Sequence, residues 1–156
     1  MKDDKELLMR AVELAAAGVK NGGGPFGAVI AKDGIILSEA FNRVVLNYDP
    51  TAHAEVLAIR QAAASARNHD LSDCTLYTSC EPCPMCLGAI YWAGIKKVVY
   101  ACDRFDAENA GFSDKFIYDE ILLEPTGRKI EFLRFIVEEG NKVFGEWKTL
   151  ENKIPY

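Results

Sequence analysis

The 156-residue sequence has no apolar run near the roughly 20 residues that a membrane-crossing helix requires. Its opening stretch, MKDDKELLMR, is charged and amphipathic, which predicts no secretory signal. Low-complexity tracts, internal repeats and linker-like stretches are also missing, so the reading is one domain over residues 1–156, long enough to bury a sizeable core. Positive charge is in deficit. At a net charge of −5 the chain gains no long-range attraction to phosphate backbones or anionic lipid. Neither nucleic acid nor a membrane is therefore an expected partner, unless a local basic patch survives the average. The glycine-rich stretch Gly22–Gly27 lacks the lysine and strand context of a phosphate-binding loop. An even, spaced set of cysteines is lacking too. The five are Cys74, Cys80, Cys83, Cys86 and Cys102, and three of them crowd into residues 80–86. That pattern is not a disulfide framework and predicts a reducing, cytoplasmic setting.

What is present is a globular balance, with 49% hydrophobic and 26% charged residues. Leu7, Leu8, Ala11, Val12, Leu14, Ala15 and Val19 form a stripe at helical spacing, predicting a helix from Asp3 to about Lys20 that stops at Gly22-Gly23-Gly24-Pro25. Asp33-Gly34 between apolar runs predicts an antiparallel hairpin of strands 26–32 and 35–42. Helical patterns over 52–66 and from Pro82 to about Ala93 alternate with strand patterns over 73–78 and 97–101. A short helix near 112–119, a strand over Ile130–Val137 and a terminal helix over 141–153 complete the expectation. This order argues for an α/β fold with a mixed sheet covered on both faces.

The chemistry concentrates in TSCEPCPMC, residues 78–86, and in PTAHAE, residues 50–55. Cys83 and Cys86 are three apart at a predicted helix start, so both sulfurs share one face and can reach one ion. The positive end of the helix favours thiolates there. A catalytic zinc takes three protein ligands and keeps one open position. His53, at another predicted helix start, is read as the third ligand, because two helix starts can converge beside the carboxyl ends of parallel strands. A fourth thiolate from Cys80 would fill the open position. Cys80 is read as a buried thiol. The same donors would also suit iron. His53-Ala54-Glu55 followed by Pro82-Cys83-x-x-Cys86 matches the H-x-E…P-C-x-x-C pattern of zinc deaminases. In that chemistry Glu55 moves protons from water to the ring and to the departing amine. The backbone N–H of Cys83 stabilises the oxygen that becomes negative. Read singly, each residue has an ordinary explanation: a CxxC pair as a structural zinc or redox site, His53 as a surface cap.

The chain is similar to the cytidine deaminase-like superfamily and, within it, resembles the bacterial guanine deaminases. GGPFGAVI (23–30), NYDPTAHAE (47–55), LYTSCEPCPMCLGAIYWA (76–93), AENAGFSDKFIY (107–118) and the terminal Tyr156 carry that resemblance. It implies a three-layer α/β/α fold with a five-stranded mixed sheet, one zinc per subunit, and a homodimer. The C-terminal segment, about 130–156, would be exchanged between subunits. The implied reaction is hydrolysis of the purine base guanine to xanthine and ammonia. Residue by residue, Phe26 would stack on the purine, Asn42 would hydrogen-bond it, and the Ala54 backbone would contact it. Asp114 would bond its nitrogens or amino group and relay protons, and Tyr156 would close the partner's site. Ser113 stands where an acidic residue is expected beside Asp114, and Pro155 restrains the approach to Tyr156.

Three other readings stay open at this point. One is a deaminase of another base or nucleoside, such as guanosine or cytosine. Another is a tRNA adenosine deaminase, disfavoured because residues 103–124 hold Asp103, Asp106, Glu108, Asp114, Asp119, Glu120 and Glu124 against Arg104 and Lys115. A non-catalytic structural zinc module is the third, and it leaves Glu55, Asn42 and the Gly-Pro-Phe turn without a joint purpose.

Overall fold

The structure is a computed structural model describing residues 1–156. The chain divides into two units, Met1–Tyr118 and Asp119–Tyr156. The first opens with α1 (Asp4–Lys20). Asp3 caps that helix through a reciprocal box with Glu6, which satisfies two backbone donors at its start. Strands β1 (Gly27–Lys32) and β2 (Ile35–Phe41) form the expected hairpin. Asp33 and Gly34 both adopt positive φ, 49° and 73°, the geometry that a tight two-residue hairpin turn demands. A short α2 (Val44–Asn47) follows, then α3 (Ala54–Ala66), β3 (Thr75–Cys80), α4 (Pro84–Trp92), β4 (Lys97–Cys102), α5 (Arg104–Asn109) and α6 (Asp114–Ile121).

The sheet runs β2-β1-β3-β4, with β1 antiparallel to β2 and β3 and with β3 parallel to β4. Alternation sorts its side chains onto two faces. Leu7 and Ala11 of α1 pack on Val29, Ala31 and Tyr77. On the other face Ala54, Ala58 and Ala62 of α3, with Ile90 of α4, pack on Ala28, Ile30, Ala40 and Leu76. The small alanines let α3 approach the sheet closely. That brings the first turns of α3 and α4 to the ends of β1 and β3, where open α/β sheets build sites.

Two expectations change. Helix α4 starts at Pro84, not Pro82: Pro84 takes the first helical position and Cys83 becomes its N-cap. The sheet has four strands, not five, because residues 130–137 join no ladder. An alternating apolar pattern favours extended backbone, but a strand exists only where a neighbour takes its N–H and C=O groups. Leu133, Phe135 and Val137, expected on a strand face, are exposed. Within this second unit the Arg128 guanidinium donates to the Glu120 and Leu123 carbonyls and lies 5.1 Å over the Phe132 ring. The final helix, α7 (Glu138–Thr149), begins three residues before the predicted terminal helix.

Candidate functional site

His53 and Cys83 are the N-caps of α3 and α4, and neither side chain caps its own helix. Both are therefore left to point at each other. His53 Nδ1 lies 3.5 Å from Cys83 Sγ and 3.5 Å from Cys86 Sγ, and the two sulfurs are 3.6 Å apart. A tetrahedral zinc with Zn–S of about 2.3 Å and Zn–N of about 2.0–2.1 Å sets sulfurs about 3.8 Å apart and each sulfur about 3.5 Å from the nitrogen. The donors thus already hold the spacing of a zinc triad, and Nδ1 is the histidine atom that faces it.

The electrostatics argue the same way. Bonding to Cys86 draws the Cys83 thiol down to about 4, while that shared bond and burial push Cys86 up. Two adjacent sulfurs cannot both ionise without a cation to hold the second negative charge. The Cys83 bond raises His53, against the opposing effect of burial. Cys80 stands apart: its thiol donates to the Asp103 carbonyl at 3.4 Å, and burial raises it to about 12.

Glu55, in the first turn of α3, is 4% exposed. Oε1 accepts from the Thr78 hydroxyl at 2.9 Å and Oε2 from the Cys86 thiol at 3.5 Å. Burial raises this carboxyl above its ordinary range, against those hydrogen bonds. It therefore sits beside the donor triad in an environment that favours taking up a proton.

The triad and Glu55 open into a cavity of about 480 Å³ whose walls include His53, Glu55, Cys83, Phe26, Asn42 and Asp114. Phe26 follows Pro25 and meets Phe112 edge-on, centroids 4.8 Å apart at 79°. Asn42 is buried, and its Oδ1 accepts from the Val44 N–H at 3.2 Å, which leaves the amide NH2 as its free donor. A Cβ on Gly24 would sit 3.0 Å from both Cγ and Oδ1 of Asn42, so glycine there makes room for the amide. Asp114 opens α6, and burial raises its carboxyl, reinforced by the charge on Cys83. Ala54 is fully buried, its side chain in the core beneath α3, and it lies between His53 and Glu55, which both line the cavity. Tyr156 belongs to the second unit and is exposed there.

Five residues escaped the sequence reading. Glu81 lines the cavity and receives both the side chain and the backbone N–H of Arg104. The Arg104 guanidinium lies 4.0 Å over the Tyr118 ring, and the Tyr118 hydroxyl donates to the Pro82 carbonyl at 2.7 Å. Tyr118 stands one helical turn after Asp114, so this chain of contacts ties α6 to the segment that carries Cys83. Phe112 and Thr78 are the other two. Only Thr78 had a signal in the sequence: one hydroxyl in an otherwise apolar strand row, which needs a partner when buried.

Residues 1–102 match the family described as the cytidine and deoxycytidylate deaminase zinc-binding region. The chain belongs to that family. It binds zinc, and the donor triad above is the site that fits the ion. The chain is 54% identical to a guanine deaminase of Bacillus subtilis (strain 168) over 151 residues, covering 96% of this chain and 97% of the relative. A solved guanine deaminase from Bacillus subtilis superimposes with a TM-score of 0.96 at 52% identity, covering 99% of each chain. A tRNA-specific adenosine deaminase of Aquifex aeolicus (strain VF5) is more distant, 36% identical over 96% of this chain and 98% of its own. No helix is long and apolar enough to cross a membrane.

Proposed function

We propose that this deaminase acts on guanine, releasing xanthine and ammonia. A zinc ion on His53, Cys83 and Cys86 supplies a water acidified to a pKa of about 7, from about 15.7 in bulk. The protein's own groups do the rest. Glu55 takes one proton from the attacking water and passes it to ring nitrogen N3, then delivers the second proton to the exocyclic amine. Oxygen bonds to C2, the C2–amine bond breaks, and ammonia leaves. The backbone N–H of Cys83, at the N-cap of α4, stabilises the developing negative charge.

Recognition follows from the cavity. The Asn42 amide NH2 donates to the base carbonyl, and the Asp114 carboxylate accepts from a ring N–H or the amino group. Asp114 also relays protons, and Phe26 is the stacking platform, held by Phe112. Guanine carries both a carbonyl acceptor and N–H donors. The single observation that carries the reading is the buried Glu55 carboxyl beside a preformed zinc triad, in a cavity that also fixes a donor, an acceptor and an aromatic ring. The acidic segment 103–124 suits a small base better than an anticodon loop.

The active form in this reading is a cytoplasmic homodimer. The segment of about 130–156 exchanges between subunits, Tyr156 closes the partner's site, and the Ala54 backbone borders the base. The exposed Phe135, Ile136, Phe144 and Trp147 of the second unit supply apolar surface for such an exchange. Product analysis tests the reaction: guanine should yield xanthine and ammonia in equal amounts, with loss on chelation and return on adding zinc. Fully zinc-loaded protein that leaves guanine unchanged would overturn it.

A further inference from the structure

We propose that Thr78 is a positioning residue for the proton-carrying carboxyl: its hydroxyl holds Glu55 Oε1, so that Oε2 is the oxygen presented for proton transfer. The inference rests on the deaminase reading above and goes beyond the ligands and Glu55 itself.

Thr78 lies mid-strand in β3, 0% exposed, opposite Ala28 of β1 and Tyr100 of β4. Side chains on its face, such as Leu76 and Cys80, pack without a bond to Glu55, and the sheet around them is closed by alanines. Strand packing there asks for a β-branched shape, which valine provides equally well. The hydroxyl is therefore explained by its partner and not by the strand. That partner is Glu55 Oε1 at 2.9 Å. The other oxygen, Oε2, is 3.5 Å from Cys86 Sγ and so lies on the side of the zinc donors.

A carboxylate on a flexible stem can turn about its last bond and exchange its two oxygens. A fixed donor on one oxygen stops that exchange. It also sets the plane of the group, because the donor sits on a strand hydrogen-bonded on both sides. Glu55 must meet the water, the ring nitrogen and the departing amine from a single position. A loose carboxyl would still hold charge and still leave room for zinc, but it would lose alignment at each of the two transfers. Misalignment of a reacting group by about 1 Å can cost about 10²-fold in rate.

The test compares T78V, T78A and T78S with the parent chain. Each is assayed for kcat and KM on guanine, zinc per chain and thermal unfolding. Valine keeps the shape and removes the hydroxyl. Alanine and serine lose the same methyl and differ only in the oxygen. We expect kcat to fall about 10- to 100-fold in T78V and T78A with KM and zinc content near the parent's, and serine to stay within about 3-fold of the parent. A T78V or T78A chain within about 2-fold of parental kcat, or a T78S chain as slow as T78A, would overturn the assignment. If T78V does not fold, the alanine–serine pair decides. The parent assayed alongside on other bases separates the two claims. Deamination of a different base refutes guanine as the substrate, and the Thr78 comparison is then made on that base.

Discussion

Replacing Phe112 by alanine tests the aromatic platform. The Phe112 ring meets Phe26 edge-on at 4.8 Å, and both side chains line the cavity. An edge-to-face pair contributes about 0.5–1.5 kcal/mol beyond area burial. If Phe26 stacks on the base, that energy fixes the ring plane against which the base lies. Losing it should raise the guanine KM by about 2- to 13-fold, since 1.4 kcal/mol corresponds to about tenfold. The kcat should barely change, because the Phe112 ring acts through Phe26 and has no polar group to offer the proton transfers. F112L keeps most of the volume and should show a similar rise, separating the aromatic contribution from simple filling. The assay is initial-rate absorbance of xanthine formation across guanine concentrations. An unchanged KM in both variants, or a loss confined to kcat, would refute the reasoning that the ring pair organises binding.

The remaining predictions concern the metal, the proton carrier and the scaffold. Glu55→Gln should retain zinc and lose about 10²- to 10⁴-fold in kcat, measured with metal content on the same sample. Cys80→Ala should hold zinc at the parental ratio, whereas Cys83→Ala should lose it by elemental analysis, because the Cys80 thiol faces the Asp103 carbonyl instead of the triad. Hydrogen bonding to Arg10 lowers the Glu39 carboxyl below its usual range. That pair should therefore add stability above the unfolded carboxyl value, near 4.5, and lose it as pH falls through the lower folded value. E39Q should cost at most about 1 kcal/mol at neutral pH in urea melts and nothing well below that window.

Helix α1 and the hairpin were legible because local rules and packing agree there. Asp3, Glu6 and the apolar stripe of α1 all point to one helix, and Asp33-Gly34 accepts the positive φ values the turn needs. The two cysteine donors were legible from spacing, since cysteines three apart at a helix start share one face, and His53 from its place at a second helix start. The start of α4 was misplaced because both Pro82 and Pro84 suit a first helical turn, and only the caps distinguish them. The fifth strand was misplaced because alternation in residues 130–137 says nothing about whether a neighbouring ladder exists. The Phe112 and Arg104–Tyr118 contacts depend on segments brought together across the fold, which periodicity does not encode. Asn42 could be singled out as a residue, but the direction of its amide is set by Val44 and by the missing side chain of Gly24.

The most direct measurement of the central claim is ammonia release by one zinc-loaded preparation from guanine, guanosine, adenine, cytosine, cytidine and an anticodon stem-loop RNA, each supplied separately at equal concentration. The account predicts turnover of guanine with the others near background. Turnover of the RNA or of a pyrimidine, with guanine left intact, would contradict it.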